Sequence, residues 1–232
     1  MKSIIQLALW DWKIQGRYQI QTVAVVLTLL YWLLFYALPF ENIDGLIIVC
    51  VYSDPAALGM VFVGALVLFE KNERTLQAMA VSPVPGSGYL WSKALSLTVL
   101  SLFLGLAMAI AGHGWQLHYF WLAIGIILTG LFFTFIGFLA VARVNSINQY
   151  ILFLFPFLVV FNLPIFNFLK ITDSWLLYLL PSQGSFLLLE AGFGRDISYW
   201  QLIYSVGYLL ISIVVAYRLA LRAYHRHIIQ KL

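Results

Sequence analysis

Between Lys93 and Arg143 no Asp, Glu, Lys or Arg occurs for 49 residues, positions 94 to 142. A helix crosses a hydrocarbon core of about 30 Å with roughly 20 residues, so the interval is too long for one span. The polar run Gly112-His113-Gly114-Trp115-Gln116-Leu117-His118 divides it, which predicts spans over 94–112 and 118–141. Four further apolar runs fit the same length: 20–40, 46–69 (interrupted by Asp54-Pro55), 150–169 (containing Pro156 and Pro164) and 200–217. Hydrophobic residues make up 63% of the chain and charged ones 9%, against about 25% charged in soluble domains. A soluble fold of 232 residues cannot hide that much apolar surface, so lipid is the expected solvent. The expected fold is all-α: one polytopic membrane domain over 1–232, with six transmembrane helices across 20–217.

Orientation follows from the basic residues, which collect on cytoplasmic flanks. With both termini inside, Lys2, Lys13, Arg17, Lys71, Arg74, Lys93, Arg143, Arg218, Arg222, Arg226 and Lys231 are cytoplasmic, and only Lys170 and Arg195 lie outside. Eleven against two predicts an even number of spans and cytoplasmic ends. Asp11, Lys13 and Arg17 interrupt any signal-peptide core. Residues 1–19 read instead as an amphipathic interfacial helix, with Trp10, Trp12 and Tyr18 at headgroup depth. Residues 218–232 read as a basic cytoplasmic tail. The connection 170–199 holds two short apolar pieces, around 175–180 and 186–189, which cannot span. They suit outer re-entrant half-helices buried against protein, or else an interfacial loop without a transport role.

Polar residues at membrane depth are functional candidates. Asp54, between Ser53 and Pro55, has the order of an N-cap before a first-turn proline, and a proton or cation site is the sharper alternative. Asn162 and Asn167 flank Pro164, either as interhelical glue or as pathway lining. Phe153, Phe155, Phe157 and Phe161 form an aromatic face for lipid, helix packing or an aromatic drug. The lone Cys50 excludes an intramolecular disulfide, and His225 and His227 lack the further ligands a metal site needs. The basic residues do not form a stacked aromatic and basic surface, so nucleic acid is not an expected partner. G-x-x-x-x-G-K-[ST], H-E-x-x-H and G-x-S-x-G are absent, which argues against autonomous enzyme activity.

Residues 70–93, EKNERTLQAMAVSPVPGSGYLWSK, hold five of the 22 formal charges. Glu70 to Ala80 can form a short helix that Ser82-Pro83-Val84-Pro85-Gly86 ends and turns. Tyr89 and Trp91 would re-enter at headgroup level, and Lys93 would anchor the next span. The positive-inside rule alone does not call for two glutamates with a fixed turn; a docking element for a soluble partner does.

The stretch Glu70-x-x-Glu73-Arg74-Thr75-Leu76, then Ser82-Pro83, then Tyr89-Leu90-x-x-Lys93, resembles the first cytoplasmic loop of ABC-2 type transporter permeases. Leu180-Pro181-Ser182-Gln183 brings it nearest to small drug-export permeases of the fluoroquinolone-exporter type. Arg74 departs from the glycine usual in the wider family. The resemblance implies a half-transporter in a bacterial or archaeal cell (inner) membrane. A second permease chain, identical or paralogous, would pair with it across the second and fifth spans. A separate ABC ATPase would bind ATP and Mg, with no cofactor in this chain. Residues 70–85 would be the coupling helix loop, with Glu70, Glu73, Arg74, Thr75, Leu76, Met79 and Pro83 as coupling residues. Asp54, Asn162, Asn167, Ser182, Gln183 and Glu190 would belong to the pathway or its outer gate. The competing readings are a proton-coupled carrier using Asp54 and, further off, an intramembrane enzyme.

Overall fold

The computed structural model describes residues 2–37, 43–73, 75–76, 85–172 and 174–227. Among these, all regular structure is helical. α1 (Lys2–Arg17) leads through a Gln19 turn into α2 (Ile20–Ala37). α3 (Asp44–Ala57), a π-helical turn (Leu58–Phe62) and α4 (Val63–Asn72) run on as one rod. α5 (Gly86–His113) and α6 (Tyr119–Val141) follow, then α7 (Ile147–Asn162), the short α8 (Pro164–Phe168), a 3-10 turn (Trp175–Leu179), α9 (Pro181–Gly192) and α10 (Tyr199–His227). Six of these rods are long and apolar enough to cross a membrane: 20–37, 44–72, 86–113, 119–141, 147–168 and 199–226. The chain is a multi-pass membrane protein.

α6 is the hub, touching α3 and its π-turn, α4, α5, α7, α9 and α10. Its most apolar window is 78% buried, whereas that of the α7–α8 rod is 17% buried. Lipid tails are as apolar as leucine, so burial from water cannot drive these helices together, and close van der Waals approach must. Glycine supplies that approach where the π-turn crosses α6. A Cβ at Gly137 would lie 2.9 Å from the Met60 carbonyl oxygen and 3.0 Å from that of Gly59. A Cβ at Gly59 would lie 2.8 Å from the Thr134 backbone nitrogen. At the same crossing the buried Tyr150 hydroxyl donates to the Met60 carbonyl. Tyr150→Phe is expected to lower stability by about 1 kcal/mol, the scale of hydrogen bonds inside membrane proteins. Thermal melting in detergent checks this; an unchanged midpoint would remove the tyrosine from the crossing's energetics.

Four expectations change. Asp54 caps nothing, because α3 continues helically through Pro55 and onward into the π-turn. Membrane helices tolerate proline when neighbours or local π adjustments re-satisfy the backbone, and an extended break is not needed. The third spanning helix starts at Gly86 rather than near 94, so Tyr89, Trp91 and Lys93 are already helical and packed. The supposed tail is helical through His227, and Tyr224 stacks on Tyr89 at 5.2 Å between ring centroids. Finally, α1 turns Asp11 and Gln15 toward the protein while Leu9 and Trp10 face outward. Its polar stripe is thus partly its packed face.

Both expected short pieces in 170–199 are present as the 3-10 turn and α9. α9 lies against α6 and α10 with Phe186, Leu188 and Leu189 buried. Before them, the chain leaves α8 through Lys170, whose φ of 56° is left-handed. The Lys170 amide donates to the Asn167 carbonyl (2.9 Å), and that of Ile171 to Phe166 (2.9 Å). This is a helix C-cap that ordinarily takes glycine or asparagine, and a lysine there costs about 1 kcal/mol.

Candidate functional site

Where α1, α4 and α5 meet, at the end of the bundle that carries both termini, three charges are buried together. Lys93 is fully buried, with Asp11 and Glu70 6% and 5% exposed. The Lys93 Nζ lies 2.9 Å from Asp11 Oδ1 and 2.5 Å from Glu70 Oε1. Each carboxylate's second oxygen has its own donor: Ser92 Oγ to Asp11 Oδ2 (2.7 Å) and the Tyr89 hydroxyl to Glu70 Oε2 (2.6 Å). Two carboxylates facing one ammonium leave a formal charge of −1, which the two hydroxyl dipoles offset. Gln15 extends the junction by donating to Ser96 Oγ (2.8 Å). Charges removed from water persist only when paired and hydrogen-bonded on every side.

The five charges of residues 70–93 therefore divide by task. Glu70 and Lys93 close the buried junction across the two ends of the connecting segment. Lys71 donates to the carbonyls of Val141 (3.1 Å) and Val144 (2.8 Å), where cationic side chains satisfy the exposed end of α6. Glu73 is exposed near Tyr18, whose ring stacks on Phe69 at 4.6 Å. Arg74 lies outside the described residues, as do Met79 and Pro83. Thr75 is exposed and its hydroxyl donates to the Glu70 carbonyl (3.1 Å), while Leu76 is buried at 2% exposure. Only Glu73 and Thr75, among the described coupling candidates, present side chains at the surface. Leu76 and Glu70 point into the protein, since each has found an interior partner that a loop in water would lack.

At the opposite end two adjoining hollows, of about 490 and 400 Å³, share Phe168, Lys170 and Glu190. Three pathway candidates meet here: Asn167, Gln183 and Glu190 all line the smaller hollow. Ser182, next in the chain to Gln183, is buried and lines neither hollow. Glu190 Oε1 accepts from Arg195 Nη1 at 2.8 Å, and the Arg195 guanidinium lies over the Phe168 ring at 5.2 Å. Burial pushes the Glu190 carboxyl above the usual carboxylate range, and the Arg195 bond and Lys170 charge oppose that rise. The Gln183 side chain is 4% exposed and its Oε1 has no hydrogen-bond partner.

The remaining candidates lie elsewhere. Asp54 is half-buried in a small crevice between α2 and the second span, against Ala24, Leu27 and Phe62. Asn162 bonds within its own helix, from Nδ2 to the Leu158 carbonyl (2.7 Å). Phe161 packs edge-on against Phe132 and Phe133, whereas Phe155 is exposed. No group of three or more metal-ligating side chains occurs among the described residues. Sequence reasoning passed over Asp11, Tyr89 and Ser92 as polar partners. The available signal was that Lys93, inside an apolar helix, would need an anion.

The sequence model of the fluoroquinolones export permease protein family matches residues 2–232. The chain belongs to that family. Two relatives named fluoroquinolones export permease protein, from Mycobacterium tuberculosis strains CDC 1551 / Oshkosh and ATCC 25618 / H37Rv, are each 32% identical to it over 181 residues. Those alignments cover 77% of this chain and 76% of each relative. For a member of the fluoroquinolones export permease family, six apolar rods, one of them a glycine-lined hub, are the expected frame of an export permease.

Proposed function

We propose that this permease is the membrane subunit of an ATP-driven exporter of amphipathic drugs of the fluoroquinolone kind. A separate ABC ATPase binds ATP and Mg and docks on residues 70–85 from the cytoplasm, where both termini also lie. The observation that carries this reading is the buried junction. Glu70 enters the connecting segment, Tyr89 and Lys93 leave it, both bond Glu70, and Lys93 ties the group to Asp11 of α1. A push on such a segment moves α1, α4 and α5 together instead of being absorbed by a slack loop. Movement of the second and third spans relative to a second permease chain would then switch the pathway between its two sides. The α7–α8 rod, which is mostly exposed, offers that second chain or lipid an apolar face. The substrate class rests on the names of the relatives.

Glu73 is the coupling residue to test, because its side chain is at the surface. Glu73→Arg is expected to lower drug-stimulated ATP hydrolysis and transport at least fivefold while membrane insertion and melting stay normal, since reversing a charge at a docking contact costs on the order of 1–3 kcal/mol. The measurements are ATPase and vesicle transport assays on the complex co-purified in mild detergent. Failure of any ATPase to co-purify would sink the proposal. A pH-gradient-driven uptake abolished by Asp54→Asn would replace it with a proton-coupled carrier.

A further inference from the structure

The hollow around Lys170 and Glu190 has features of a site built for a ligand carrying both signs of charge. Lys170 occupies a left-handed cap position that favours glycine or asparagine, so its backbone is retained at a cost that its side chain must justify. Lys170 lines both hollows, together with Asn167 and Thr172 in the smaller one. Glu190, in the same lining, is held in place by Arg195, and the Gln183 Oε1 is a buried acceptor without a donor. Native proteins pair nearly all such atoms, so one on a residue that lines a hollow marks where a donor from elsewhere belongs. Phe168 and Leu187 supply apolar lining between the polar groups.

We infer that this hollow binds a zwitterionic amphiphile, with its carboxylate on Lys170 and its protonated amine on Glu190 and the Gln183 Oε1. The inference rests on the export reading, in which this end of the bundle is external and the hollow is a release site beside the gate. A fluoroquinolone carries the required groups: a carboxylate at one end of a flat ring system and a basic amine at the other. An ammonium donates to the unpartnered amide oxygen and meets the Glu190 charge. The carboxylate accepts from Lys170, with the Asn167 amide and Thr172 hydroxyl as further donors.

The test is equilibrium binding of norfloxacin, its ethyl ester and its N-acetyl derivative to the full chain in lipid nanodiscs. Lys170→Asn suits the left-handed cap, so it removes the charge without straining the fold. It is expected to weaken norfloxacin binding about tenfold, the loss of one charge-assisted hydrogen bond, and to leave the ester unchanged. Glu190→Gln should weaken norfloxacin to a similar degree and spare the N-acetyl derivative. Equal losses for drug and blocked analogue would overturn the inference, as would no loss for either or no binding by the wild type. Export measured in parallel, in cells that co-express the ATPase, keeps the two readings apart. Normal norfloxacin export with no charge-selective effect would overturn only the zwitterion site. No drug export by the wild type would overturn the function on which it rests.

Discussion

Lys93→Met is expected to cost about 3–5 kcal/mol, the range seen when one partner of a buried ion pair is deleted. The substitution keeps the length of the side chain and removes the charge that Asp11 and Glu70 share. Two carboxylates, each about 5% exposed, would then face one another without a cation. They can respond by taking up protons or by pulling α1 away from α5 to reach water, and either loosens the junction. Against a total stability of about 5–15 kcal/mol, the loss is large. The melting midpoint in detergent should fall by roughly 10 °C, using about 2–4 °C per kcal/mol for a chain of this size. Adding Asp11→Asn and Glu70→Gln to Lys93→Met should restore most of the loss, because neutral amides need no counter-ion. A midpoint within about 2 °C of wild type for Lys93→Met alone would show that the three charges are not energetically linked.

The second large effect belongs to the crossing of the π-turn over α6. Gly137→Ala would place a methyl group 2.4 Å from Val63 Cγ1, 2.9 Å from the Met60 carbonyl oxygen and 3.0 Å from the Gly59 carbonyl oxygen. The valine can shift, but two backbone carbonyls inside a helix cannot, so the rods must separate. Overpacking of this kind costs about 1–3 kcal/mol. Separation also withdraws the Met60 carbonyl from the Tyr150 hydroxyl, so Gly137→Ala and Tyr150→Phe should be less than additive. Gly207→Ala is the control. That position, exposed on α10, has nothing within 4 Å of an added Cβ, and alanine is the better helix former. Its melting midpoint should hold or rise slightly. A Gly137→Ala protein as stable as the Gly207→Ala one would mean that glycine does not set the separation.

Much of the architecture is legible in the sequence. Six spans, the division near Gly114 and the short pieces around Trp175 and Phe186 all follow from where charge and turn residues interrupt apolar runs. Those features are local, and the length of an apolar helix is set by the bilayer. Local rules misjudged Asp54-Pro55 for a related reason. The order Asp-Pro begins many helices in water, but in an apolar environment a continuous hydrogen-bonded rod is the cheaper choice, and a π-turn can absorb the irregularity. The face of α1 was misjudged because its polar positions were assigned to water, when Asp11 and Gln15 had protein partners at Lys93 and Ser96.

The candidate site shows the same division. Asn167, Gln183 and Glu190 were singled out as polar residues in apolar or turn contexts, and the fold brings them to one hollow. Lys170 and Arg195 had entered only as two charges in an orientation count, yet they line the same space. Residues 70–93 were expected to present their charges outward, and two of the five close a buried cluster instead.

By itself the sequence determined that this chain lives in lipid, how many times it crosses, and which residues would be costly to leave unpaired. Only the tertiary structure decided which partner each of them has. The cost of a bare charge in a low-dielectric interior can be read from one residue, but its remedy lies elsewhere in the chain. Lys93 finds one anion 82 positions away and another 23 positions away. Nothing local in the sequence records which helices will lie side by side.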